Sequence, residues 1–157
     1  MCANLIDDLI AYEGKHIKDI CSAGFTGDET NHCAHFVSHA LGYSFGLTCH
    51  ALTGKGKATS KANVRVQEIF AKCPKVGQWD DVATPSQGLV FVTDASNVNL
   101  AAKMMKNVPK KHIGIYVGGD VWHYSNTRDK VVKQSITQFS KHYPGSNIAL
   151  FFGAFPL

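Results

Sequence analysis

Between Glu29 and Gly42 the chain runs ETNHCAHFVSHALG, one cysteine among three histidines at what reads as the start of a helix. Asn31 is suited to cap that helix and Gly42 to end it. A sulfur so placed can ligate a metal, fill a core or attack a carbonyl. On a helical wheel Phe36, Val37, Ala40 and Leu41 share a stripe centred on Cys33, whereas His35 and His39 point the other way. A zinc site at Cys33 would need histidines on its own face, so the wheel argues against one and leaves His35 and His39 as an outer-face pair for adventitious metal. In the first turn, open backbone N–H groups and the helix dipole favour a thiolate over the free thiol, whose pKa is about 8.5. The competing reading is a small core residue, a common fate of free cysteines. Cys2, Cys21, Cys49 and Cys73 have no comparable placement.

A cysteine nucleophile needs a base, usually histidine, and a group that fixes that ring. The second half supplies KHIGIYVGGDVWHYS, in which Gly118-Gly119 signals a two-residue hairpin. That turn would pair Gly114 with His123 and Ile113 with Tyr124. His112, Gly114, Tyr116, Val121, His123 and Ser125 would then share a polar face, opposite a core face of Ile113, Ile115, Val117, Trp122 and Tyr124. His112 and His123 become diagonal neighbours roughly 7 to 8 Å apart at Cα. An odd loop would put them on opposite faces. Either histidine alone reads as a surface or satisfied core residue, but two on one polar face, with glycine among otherwise large residues, shift the balance towards a site.

The elements that must position these residues change character along the chain. Apolar residues at helical spacing predict a first helix near residues 3 to 22 that breaks at Gly14. The second, cysteine-bearing helix follows the loop GFTGDETN. Residues 53 to 63 (TGKGKATSKAN) predict a mobile surface loop, residues 64 to 72 a short helix, and PKVGQWDDVATPSQG another loop. From Gly88 five segments predict strands: GLVFVT, HIGIYV, VWHYS, KVVKQS and NIALFFGAF. The insert DASNVNLAAKMMKNVPKK predicts a short helix. Helices first and strands afterwards imply α+β, helices packed on an antiparallel sheet.

The 157 residues predict a single domain with a core of its own. No apolar run approaches the roughly 18 to 20 residues that span a bilayer, so no membrane span is expected. The N-terminus lacks the plan of a secretory signal, and Asp7 and Asp8 interrupt its apolar stretch. Five widely spaced cysteines without a C-x-x-C pair argue against a disulfide framework and a zinc ribbon, which fits synthesis in a reducing cytoplasm. A net charge of +4 spread without an aromatic-basic stripe gives no support for nucleic acid as a partner.

The cysteine at a helix start, SQGLVFV, then HIGIYVGGDVWHYS and VVKQSI, in that order over residues 31 to 136, resemble the NlpC/p60 family of papain-like cysteine peptidases. The resemblance implies a papain-like core with Cys33 as nucleophile, His112 as base and His123 orienting His112. Asn31, His32 and Tyr116 are expected as substrate contacts, His32 because it directly precedes the nucleophile, and no metal or other cofactor is expected. Where the family has Asp before and Ser-Gly after the cysteine, this chain has His32 and Ala34-His35. Members cleave amide bonds in peptidoglycan stem peptides, and compact ones serve as amidase toxins against rival bacteria. By that analogy the expected protein is a monomer, exported without a classical signal, with an immunity protein as partner. NHCAHF also resembles the Asn-Cys-Glu-His-Phe motif of lecithin:retinol acyltransferase-like enzymes, which act on lipid acyl groups. Those place their histidines before the cysteine, so the chain order favours the peptidase arrangement, shared with the CHAP amidases.

Overall fold

The structure, a computed structural model, describes residues 2–56, 61–83 and 85–156. Among the described residues it is mixed, with five α-helices and antiparallel strands, which bears out the α+β expectation. No helix among the described residues is long and apolar enough to cross a membrane.

The first helix, α1, covers Cys2–Tyr12 and stops before Gly14, whose φ of +85° favours a residue without Cβ. The predicted break falls there, and a 3-10 turn at Ile17–Asp19 follows. Helix α2 is Cys33–Leu41, closed by Gly42 in the left-handed region with its N–H on the Ser38 carbonyl, as expected of a C′ glycine. Sequence patterning missed α3, Cys49–Thr53, whose start is capped by Thr48 Oγ1 accepting the Ala51 N–H at 3.2 Å. Residues 57–60 of the predicted surface loop lie outside the described residues. Its end is tied down: Ala62 and Asn63 are buried, and Asn63 Nδ2 donates to the Phe45 carbonyl. Helix α4 is Val66–Lys72.

Strand β1, Val76–Gln78, lies inside the segment predicted as a loop. All five predicted strands are present: β2 (Gln87–Asp94), β5 (Lys111–Val117), β6 (Asp120–Ser125), β7 (Lys130–Ser135) and β8 (Ile148–Gly153). The helix predicted for the insert is not. A 3-10 turn at Ala95–Asn97 and a small hairpin of β3 (Val98–Asn99) and β4 (Met104–Met105) take its place. Helix α5, Ile136–Ser140, opens with a capping box in which Ser135 and Gln138 bond reciprocally. The strands follow the order β1-β8-β2-β5-β6-β7, so the last strand inserts between the first two.

The chain packs as two compact units, residues 1–65 with 122–133, and residues 66–121 with 134–157. In the first, Leu9, Ile17, Phe36, Val37 and Tyr124 are buried, and Tyr12 meets Phe36 edge-on at 5.7 Å. The Tyr124 hydroxyl accepts the Ile17 N–H at 3.1 Å. Tyr124→Phe would strand that buried donor and should cost about 1–3 kcal/mol, read as a lower urea midpoint at unchanged m-value.

In the second unit, register places Leu89 opposite Ile115, Phe91 opposite Ile113 and Val92 opposite His112. Phe91 packs edge-on against Phe70 of α4 at 5.0 Å. The other face is also filled: Val90, Val92, Tyr116, Val121 and Phe139 form a buried cluster. The polar face expected for β5 is therefore a packed one, which explains why GLVFV is continuously apolar. Gly153 is required by contact, since a Cβ there would come within 2.6 Å of Cys73 Sγ and 2.9 Å of a Phe91 ring carbon. Gly153→Ala should destabilise by about 1–3 kcal/mol, again by urea melting.

Candidate functional site

Helix α2 starts at Cys33, and the loop before it is held by side chains. Asn31 Oδ1 accepts the Cys33 N–H at 2.9 Å, an Asx-type turn, and also accepts from Asn126 Nδ2 at 2.9 Å. Asn126 Oδ1 in turn accepts the His32 N–H at 3.0 Å. Two amides from distant parts of the first unit thus fix the first turn. The N-cap position itself is His32 rather than the predicted Asn31. The thiol-bearing residue is 2% exposed. Its N–H, the natural oxyanion donor beside a nucleophile, is bonded to Asn31, which would have to release it to a substrate.

His32 does not line a cleft. It is 1% exposed, and both ring nitrogens are used: Nε2 donates to the Gly27 carbonyl at 2.7 Å, and Nδ1 faces His35 Nδ1 at 3.0 Å. The expected substrate contact is a structural link within the first unit. His35 and His39 do face away from Cys33, but that face is not an outer one. Cys33 through Ser38 are all buried, so the first two turns of α2 have no outer face, and His35 is fully enclosed. Burial, with His39 and His32 beside it, lowers the His35 pKa to about 3, so the ring is neutral. His35 and His39 point instead towards Cys21 and Cys49, a set that spacing alone did not assemble.

His112 lies in the second unit on β5 and is completely buried. Its ring stacks on His142, with centroids 3.8 Å apart and planes 9° apart, and lies 5.6 Å from Phe139 of α5. His142 was given no role from sequence, and burial lowers its pKa. Tyr116 borders a small cleft of about 190 Å³ with Trp79, Asp80, Val82 and Pro85, and its ring meets Trp79 edge-on at 4.9 Å. His123 belongs to the first unit, on β6, and is 2% exposed. The turn between β5 and β6 is Gly118-Gly119, with φ of +61° and +92°, the even loop that the shared-face reading requires. A larger cavity of about 620 Å³, lined by Asn97, Leu100, Met104, Lys106 and Phe151 among others, adjoins the β3–β4 hairpin and includes none of the three expected catalytic residues.

No family model matches this chain, and no curated protein or solved structure matches it either.

Proposed function

We propose that the protein is a cysteine hydrolase of amide bonds, with Cys33 as nucleophile, and that its substrates are peptidoglycan stem peptides. The observation that carries the reading is the placement of Cys33 as the first residue of a nine-residue helix whose entry is pinned by Asn31 and Asn126. A helix start favours the thiolate, and a held loop keeps the sulfur from wandering. His112 takes the base role by residue type and chain order, and its ring is held in the second unit by stacking on His142. His123 orients it.

In the proposed reaction the thiolate adds to the amide carbonyl, and the tetrahedral oxyanion collapses to a thioester as the imidazolium of His112 gives its proton to the leaving amine. Water, deprotonated by His112, then hydrolyses the thioester and restores the thiol. A papain-like core, action in a rival cell's envelope, and an immunity protein for the producer belong to the same reading. The decisive experiment is mass spectrometry of purified Gram-negative peptidoglycan after incubation with wild-type protein and with Cys33→Ala. New fragments from the wild type alone support the reading and their masses name the bond; none from either, beside an active control enzyme, refutes it.

Thiol labelling gives an independent check. Burial pushes the Cys73 thiol up to about 12, so it should resist iodoacetamide until the protein unfolds. Cys33 should be the first cysteine alkylated in the native protein, at a pH well below 8.

A further inference from the structure

Four side chains of the first unit converge where no catalytic role is assigned. The ligating atoms of Cys21, His35, His39 and Cys49 all lie within 4.8 Å of one another, and Cys49 Sγ is 3.9 Å from His39 Nε2. A tetrahedral zinc ion with bonds of about 2.3 Å to sulfur and 2.0 to 2.1 Å to nitrogen needs its ligand atoms about 3.4 to 3.8 Å apart. Closing the cluster takes movements of about one ångström or less.

Hydrogen bonding prepares three of the four ligands. The Gly27 carbonyl can only accept, so His32 Nε2 carries a hydrogen and His32 Nδ1, in the neutral ring, is an acceptor. The facing His35 Nδ1 must then be the donor. That tautomer leaves a lone pair on His35 Nε2, which is buried without a hydrogen-bond partner in a residue of 0% exposure. A ligating histidine whose other nitrogen donates to a fixed acceptor is the usual outer-shell arrangement of a metal site. Cys21 Sγ accepts the Ala23 N–H and Cys49 Sγ the Ala62 N–H, each at 3.4 Å, so a backbone donor fixes the place of each sulfur.

We propose that Cys21, His35, His39 and Cys49 bind one zinc ion in a closed, tetrahedral, structural site that fastens α2 to the segment before it and to α3. Two sulfurs and two nitrogens suit zinc, and four protein ligands leave no open position for catalysis. Binding displaces two thiol protons, so the dication, two thiolates and two neutral imidazoles form a site with no net charge. That neutrality is what permits it to be buried. The assignment is independent of the hydrolase reading, because Cys33 is not a ligand.

The test uses full-length protein purified with its thiols reduced, and zinc and cobalt as probes. Elemental analysis should give about one zinc per chain, and cobalt exchanged for it should show the visible bands of a tetrahedral ion with sulfur-to-metal charge transfer. Cys49→Ser and His35→Gln should each lower metal content at least about tenfold, and His32→Ala should weaken affinity by about 10- to 100-fold. Cys33→Ala and Cys73→Ser should keep full metal content, which separates this site from the proposed nucleophile. If the ligand variants fail to fold, the wild-type cobalt spectrum decides. Failure of the reduced wild type to take up either metal, a Cys21–Cys49 disulfide in the peptide map of freshly trapped protein, or full metal retention by the ligand variants would each overturn the assignment.

Discussion

Cys33→Ala is expected to lower amide hydrolysis by about ten-thousandfold or more while leaving the fold intact. The first figure follows from removing the nucleophile of a coupled group, where losing one member costs nearly as much as losing all. The second follows from size, since the thiol is small and alanine leaves only a minor void. The N–H that donates to Asn31 is backbone and survives the change. His112→Ala should cost about 10²- to 10⁴-fold, the usual value of general acid-base catalysis. His123→Ala should cost about a hundredfold, the scale of a misplaced but present base. The measurement is initial rate on a defined stem-peptide amide, with circular dichroism as the control for folding. Equal residual rates in all three variants would remove the triad reading.

The second large effect concerns stability. Because ligands rarely gather before folding, the binding energy of a structural zinc ion is largely folding energy. A free metal concentration a thousandfold above Kd stabilises by about 4 kcal/mol, which for a chain of this size corresponds to a melting temperature on the order of 10 °C higher. Stripping the metal with a strong chelator under reducing conditions should lower Tm by that order, and stoichiometric zinc should restore it. A chelator-insensitive Tm in protein shown to hold zinc would mean that the ion contributes little to folding. Loss of the ion should also lower hydrolysis through α2, since His35 and His39 follow Cys33 within the first two turns of the same helix. Any such loss should track the fraction unfolded.

Those two sites were not equally legible in the residues. Strands showed themselves where β-branched and aromatic residues ran together, as in GLVFVT and HIGIYV, and the Gly118-Gly119 turn announced itself by residue type. β1 is only three residues long, set among Pro, Gly and Asp, and its place depends on pairing with a strand at the far end of the chain, Val76 opposite Gly153. Propensity cannot report such a pairing. α5 did leave a signal, the Ser135 and Gln138 capping box, which sits at the end of the β-rich run KVVKQS and is masked by it. The insert after β2 contains Ala, Lys and Met, good helix formers, yet Lys103 takes a φ of +52° and the segment turns back as a hairpin.

The cysteine-histidine cluster was hidden for a different reason. A helical wheel gives an angle and not burial: it set His35 and His39 on the face away from Cys33, and their polarity suggested solvent there. Ligand-type residues satisfy one another inside a fold, so polarity and burial part company there. Cys21 and Cys49 also lie far from the histidines along the chain and from each other, so no short motif gathers them. The placement of Cys33, by contrast, was readable because a helix start is a local property.

The two compact units are interleaved along the chain. Residues 122–133 complete the first unit only after all of residues 66–121 have been threaded through the second. A ribosome that has released only the first 65 residues has therefore made the segment bearing Cys33 without the strands that finish its unit. No single cut yields two fragments that each hold a whole unit. Any contiguous stretch long enough to carry one whole unit also carries part of the other, so neither unit can be moved by a single excision without cutting its companion.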